Sequence, residues 1–342
     1  MQQLAIVKYG AAREAFELRQ MPQPEPDPNQ VLVQVEGFGL NYADVMARNG
    51  LYKEAPKIPF VPGYEIVGMV TDRGAAVPEK FLGKRVVGFT RFGGYADFAL
   101  ADYRAIAELP EDIPGGEACA LATQYCTAYY MTDYLSRLHD GEIALIHACA
   151  GGVGTALTQL CKRNGLKVVG LCSSPQKIDY LEKMGVDLPI NYKEVNYAQA
   201  IEQAYGKRKM DLIFNTVAGK SFKNDLKLLA HGGRMFCFGG AARSGQRAHI
   251  INDLGFLLKT GFISPLFMMM KSQAVLGVNM LRLADHRIDI IGHCLHALVD
   301  LWERNEIRPQ VGATFKAKDI AAAHELLESG SSTGKIFVYW EY

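Results

Sequence analysis

Ile143-Ala-Leu-Ile-His-Ala-Cys-Ala-Gly-Gly-Val-Gly154 is the stretch on which the fold of this chain turns. A short apolar run, Ile143 to Ile146, leads into small residues and then Gly151, Gly152 and Gly154. After Gly154 the spacing becomes helical, with Thr155, Ala156, Leu157, Leu160 and Cys161 on one face. Strand, glycine turn and helix leave backbone N–H groups free at a helix N-terminus, where the helix dipole also favours an anion. Against G-x-G-x-x-G the six positions are Cys149 to Gly154, with Cys149 in place of the first glycine. The chain has 34 glycines, so the match gains weight only from its flanking strand and helix. The alternative is an ordinary strand-to-helix turn without a ligand.

Working outward, the alternation continues. Strand 143–147 and helix 152–164 are followed by strand 167–172, helix 175–184, a short strand near 188–190, helix 194–205, strand 211–216, helix 221–230 and strand 234–238. Val275 to Val278 reads as the last strand. Such βαβ units imply a parallel sheet with right-handed crossovers. Upstream, residues 1–123 read as short strands between glycine turns: 4–8, 16–19, 31–37, 65–71, 85–89 and 95–100, with a short helix over 41–49. This pattern suggests a small barrel or sandwich. Between the two patterns, 118–122 and 128–138 read as helical. Downstream, 286–305 and 319–328 are amphipathic helices and 335–340 a closing strand. The expected fold is therefore α/β, with a β-rich part on either side of a doubly wound parallel sheet.

Composition removes several function classes. The formal net charge is +1 over 342 residues, which leaves no broad field for nucleic acid. The N-terminus reads as a strand without an export signal. The apolar stretch 254–283 is broken by Lys259, Pro265 and Lys271, so no spanning helix is expected there. A peripheral membrane contact by Phe262 to Met270 stays open. Seven cysteines without a C-x-x-C pair point to a reducing cytoplasm.

The end of the second strand of a dinucleotide fold lies near the adenosine ribose, where an Asp or Glu selects NAD. Here Cys172 is followed by Ser173-Ser-Pro-Gln-Lys177, and no carboxylate occurs until Asp179. Ser174 suits an N-cap and Pro175 the first helical position. Two hydroxyls and the Lys177 ammonium at a helix N-terminus suit a phosphate, so NADPH is the expected cofactor. The plain alternative is a capped helix with an exposed lysine.

Taken together, these residues resemble the zinc-independent quinone oxidoreductases of the medium-chain dehydrogenase/reductase superfamily, nearest to the vesicle amine transport protein homologues. The resemblance rests on Gly39 to Tyr52, Pro59 to Glu65 with Gly68, Gly83-Lys-Arg-Val86, His147 to Gly154, Ile190-Asn-Tyr192 and Gly334-Lys335. It implies a GroES-like catalytic domain formed by residues 1–123 and 281–342, with a Rossmann domain, 124–280, inserted between them. It also implies a homodimer through Val275 to Val278. For the cofactor it implies Thr127, Ala150, Gly151, Gly152, Val153, Ser173, Ser174, Lys177, Tyr192, Phe238, Gly239 and Lys335. Asn41, Asp44 and Tyr52 would line the substrate side as the catalytic residues. Zinc-dependent relatives place a cysteine near Leu40 or Asn41 and a histidine at Tyr64, so no metal is expected.

The reaction implied is hydride transfer from NADPH to a quinone or an α,β-unsaturated ketone. Developing negative charge on the acceptor oxygen needs a donor, and the Asn41 amide or the Tyr52 hydroxyl offers one. Asn41 is equally well read as a helix N-cap, and Asp44 as a first-turn carboxylate. A second functional class is an NADPH-binding, largely non-catalytic protein associated with lipid through its Met-rich segment, Phe256 to Met270. The plainer reading of that segment is a cleft wall or a dimer interface.

Overall fold

The computed structural model describes residues 1–217, 219–239 and 263–341. The chain forms two compact units, residues 1–127 with 280–342, and residues 128–279. In the second unit a six-stranded sheet has the order Leu188–Asn191, Lys167–Cys172, Ile143–Ile146, Met210–Asn215, Leu229–Cys237, Ala274–Gly277. Every neighbouring pair is parallel. This is the doubly wound order in which the chain reverses direction beside the first strand, where such folds bind ligands. Val169, Leu145 and Ile213 lie in the buried core of the sheet, as expected for strands covered on both faces.

In the first unit, seven strands form one sheet around Gln30–Leu40. That strand runs three residues past the expected Gly37, because Gly37 to Leu40 pair with the closing strand Lys335–Tyr339. Its other partners are Glu65–Arg73 and Phe98–Asp102. The core holds Val31, Val33, Val35 and Phe38 with Ile66, Ile336 and Val338.

Some expected elements take a different form. The helices expected over 118–122 and 128–138 run together through two π turns, Leu121–Tyr125 and Tyr130–Tyr134, and helical structure ends at Tyr134. The helix expected over 286–305 is Ile288–Glu303, and a separate helix, Met280–His286, precedes it across Arg287, which leaves helical geometry at φ −142°. Among the described residues no helix is long and apolar enough to cross a membrane.

Candidate functional site

The glycine turn leaves strand Ile143–Ile146 and enters helix Gly152–Arg163, with Gly151 as its N-cap. A Cβ on Gly154 would lie 2.5 Å from the carbonyl oxygens of Ala148 and Cys149, so the helix can pack this tightly against the turn only with glycine there. Ala148 takes a left-handed φ of 50° to make the bend. Gly151, Gly152 and Val153 are half-buried at the helix start, while Ala150 is buried. Cys149 points inward, 3.3 Å from the Thr158 hydroxyl, and burial pushes its thiol up to about 12. Cys149 is thus a packing residue and not a nucleophile.

At the next strand end, Ser174 caps helix Pro175–Lys183 from extended backbone, but its side chain makes no capping bond. Pro175 stands at the helix start as expected. Lys177 is half-buried, and desolvation lowers its pKa. The charge of Lys193, a residue outside the sequence expectation, acts weakly in the same direction. Lys193 follows the strand Leu188–Asn191, whose last residue pairs with Cys172, and Tyr192 N–H donates to Cys172 O at 3.1 Å. Tyr192 is 48% exposed, an available flat surface. Phe238 and Gly239 follow strand Leu229–Cys237, and a Cβ on Gly239 would lie 2.6 Å from the Thr216 hydroxyl.

Behind the glycine turn lies a polar cluster that sequence reading did not find. Asp225 has no exposed surface. It accepts from Tyr197 Oη at 2.9 Å and Asn215 Nδ2 at 2.6 Å, and His147 Nε2 lies 2.9 Å from its Oδ2. His147 immediately precedes the turn, and its backbone N–H donates to Phe214 at 3.0 Å. The cluster therefore fastens the end of the first strand to the end of the fourth.

The other unit holds the residues expected to face a substrate. Asn41 caps helix Tyr42–Arg48, and its N–H donates to Asp44 Oδ2 at 2.8 Å. Asp44 has no exposed surface, and its other oxygen accepts from Gly63 N–H at 3.2 Å. Burial pushes its carboxyl up to about 7 against the pull of those two amides. Asp44, expected on the substrate side, has one oxygen engaged in the helix cap and the other on Gly63 N–H. Asn41 caps the helix, and its Nδ2 donates to Glu65 at 2.9 Å. Tyr52 is half-buried beside Tyr64, ring centres 6.3 Å apart, and burial raises its pKa.

Lys335, expected at the cofactor, has no exposed surface. Its ammonium pairs with Glu65 and donates to Leu40 O at 3.2 Å and Asn41 Oδ1 at 3.4 Å. Its three N–H groups thus face three internal acceptors. Thr127 is buried, and its hydroxyl donates to Thr123 O at 2.6 Å, which leaves it able to accept.

The Glu65 carboxylate is committed to Lys335, Asn41 and Thr123 N–H, which leaves it a poor ligand for a metal. Among the described residues no three His, Cys, Asp or Glu side chains gather as a metal site.

The comparisons agree with this architecture. The alcohol dehydrogenase GroES-like domain family matches residues 27–111, and the zinc-binding dehydrogenase family residues 152–293. Rat (Rattus norvegicus) quinone oxidoreductase is 31% identical over 317 residues, 92% of this chain and 90% of that protein. The chain belongs to the quinone oxidoreductase family. This family lies within the medium-chain dehydrogenase/reductase superfamily and is a family of oxidoreductases. This family member is also similar to the synaptic vesicle membrane protein VAT-1 homolog of Danio rerio, 27% identical over 99% of this chain and 70% of that one. Escherichia coli quinone oxidoreductase, solved in complex with NADPH, superposes with a TM-score of 0.85 at 25% identity, covering 99% of this chain and all of that one.

Proposed function

We propose that this protein is an NADPH-dependent reductase that delivers hydride to a quinone or an α,β-unsaturated ketone without a metal. The observation that carries the cofactor choice is the end of strand Lys167–Cys172. Ser173, Ser174 and Lys177 follow that strand at the start of helix Pro175–Lys183, and the sequence has no carboxylate between Cys172 and Asp179. Burial works against the Lys177 charge, a phosphate would offset that cost, and a carboxylate selecting NAD is missing from the position that needs it. The Escherichia coli relative solved with NADPH supports the same choice.

A bound NADPH supplies the hydride. The turn Ala150 to Val153 offers backbone N–H groups and a helix N-terminus to the pyrophosphate. Tyr192 offers its ring to the adenosine end, Thr127 its hydroxyl oxygen to a ribose, and Phe238 and Gly239 line the nicotinamide end. On the substrate side, Asn41 Nδ2 has a second N–H beyond the one Glu65 takes, and this donates to the acceptor oxygen. Tyr52 keeps its proton through neutral pH and is the second donor. Asp44 holds the helix that presents Asn41. A conjugated acceptor spreads its developing charge, so two neutral donors suffice where an isolated ketone would need a stronger electrophile.

The protein acts as a homodimer in this proposal, joined through the edge strand Ala274–Gly277. The adjoining helix Pro265–Lys271 exposes Phe267 at 58% and Met269 and Met270 at 70%, an apolar surface that supports a contact with a second copy or with a membrane. The rest of the Met-rich segment, 256–262, lies outside the described residues. Seven free cysteines, most of them buried, support a cytoplasmic home. The test is NADPH oxidation with phenanthrenequinone and a panel of enones, where no turnover with any acceptor would sink the reductase reading.

A further inference from the structure

Lys335 and Glu65 form an ion pair in which neither partner has exposed surface. Burying two charges costs several kcal/mol per ion, and apolar replacements of such pairs are often neutral or stabilising. Stability alone is therefore a poor reason for this pair, and its geometry suggests another. Glu65 opens strand Glu65–Arg73 and Lys335 opens strand Lys335–Tyr339, and both flank the end of Gln30–Leu40. Gly39 makes room for them: a Cβ there would lie 2.1 Å from Lys335 Cε and 2.2 Å from Glu65 Oε1.

The two charges grip one amide from opposite ends. Glu65 Oε1 accepts from Asn41 Nδ2 at 2.9 Å, and Lys335 Nζ lies 3.4 Å from Asn41 Oδ1. Turning the amide over would set oxygen against carboxylate and N–H against ammonium, so the pair selects one orientation of Asn41. The other Glu65 oxygen accepts from Thr123 N–H at 2.8 Å, inside the π turn Leu121–Tyr125. Thr123 O in turn receives the Thr127 hydroxyl at 2.6 Å. Such turns within helices recur at functional sites. One carboxylate thus connects the donor proposed for the acceptor oxygen with the hydroxyl proposed for the cofactor ribose.

We propose that Lys335 and Glu65 are positioning residues that together fix the Asn41 amide, and that Lys335 touches neither cofactor nor acceptor. The amide of a Glu65→Gln variant keeps an acceptor for Thr123 N–H, so the Thr123–Thr127 turn stays anchored when Glu65 is replaced. The Asn41 half of this rests on the reductase reading above. Lys335→Met alone leaves a buried carboxylate unpaired and threatens folding, so the decisive variant is Lys335→Met with Glu65→Gln, a neutral pair of similar size. On the purified protein, NADPH affinity is measured by fluorescence titration, and kcat and KM with phenanthrenequinone.

The expected result is a kcat at least tenfold lower with a raised quinone KM, while NADPH affinity stays within threefold of wild type. NADPH binding weakened tenfold or more, whatever kcat does, would return Lys335 to the cofactor and overturn the proposal. Wild-type kcat and KM in the double variant would make the pair merely structural and overturn it equally. If the wild-type protein turns over no acceptor, the reductase reading falls. The claim that Lys335 does not touch the cofactor is then decided by the affinity measurement alone.

Discussion

Replacing Asp44 by asparagine should remove a pH dependence that this carboxyl imposes on the catalytic unit. An aspartate in an unfolded chain titrates near 3.8, and Asp44 in the folded chain at about 7. Burial is the main cause, with the nearby Glu65 charge adding to it. The folded pKa is raised, so the stability tied to this proton is fully present below about 3.8 and is lost as pH rises through about 7. Between pH 5 and 8 the wild-type protein should lose roughly 2.5 kcal/mol of stability from this one group, at about 1.36 kcal/mol per pH unit of differential titration. The amide side chain of the Asp44→Asn variant keeps one acceptor for the N–H groups of Asn41 and Gly63 and cannot ionise. The assay is urea unfolding at pH 5, 6, 7 and 8, followed by tryptophan fluorescence. Both tryptophans, Trp302 and Trp340, lie in the unit that carries Asp44, so the signal reports that unit. The expected outcome is a wild-type minus Asp44→Asn difference that shifts against the wild type by about 2–3 kcal/mol from pH 5 to pH 8. A difference constant within about 0.5 kcal/mol would refute the argument that Asp44 is a desolvated carboxyl.

Other changes probe the remaining parts. Lys177→Ala and Lys193→Ala should each weaken NADPH by about tenfold or more, as expected for losing a charged partner of a phosphate, while NADH binding changes little. An equal effect on both nucleotides would remove the phosphate assignment. Gly154→Ala should unseat the turn by forcing a Cβ against two carbonyl oxygens, and loss of binding to both nucleotides in titrations would show it. Asp225→Ala removes the acceptor of Tyr197 and Asn215 from a buried cluster and should cost about 1–3 kcal/mol. Thermal unfolding with an unchanged midpoint would argue against the cluster's structural weight. Phe267→Asp should abolish association of the protein with itself or with liposomes, and ultracentrifugation with a flotation assay distinguishes the two surfaces.

The legible parts of this protein are local ones. The strand–turn–helix at Ile143–Gly154 and the alternation after it follow from short-range periodicity, and the parallel sheet has the doubly wound order. Strand ends are less visible: Gln30–Leu40 extends through two glycines because the closing strand, from the far end of the chain, pairs with it. The edge strand Val311–Lys316, beside that closing strand, carries little local signal, since Gly312 and Ala313 blur its alternation. Site residues divide along the same line. Ser174 and Pro175 announce a helix start wherever they occur, and the structure has one. Asn41 and Asp44 are residue types that serve both caps and substrate sites, and only burial separates the two uses. Lys335 and Glu65 are 270 positions apart, so no spacing could show that they neutralise each other. Lys193 becomes visible only through the register of Leu188–Asn191 against Lys167–Cys172.

The central claim is that a phosphate-selecting cofactor site feeds a conjugated acceptor. Its most direct test is steady-state oxidation of NADPH and of NADH by the purified protein with phenanthrenequinone as acceptor. The predicted result is turnover with both nucleotides, with kcat/KM for NADPH higher by about tenfold or more, as the loss of a charge-assisted phosphate contact implies. Equal use of the two nucleotides, or no oxidation of either, would contradict it.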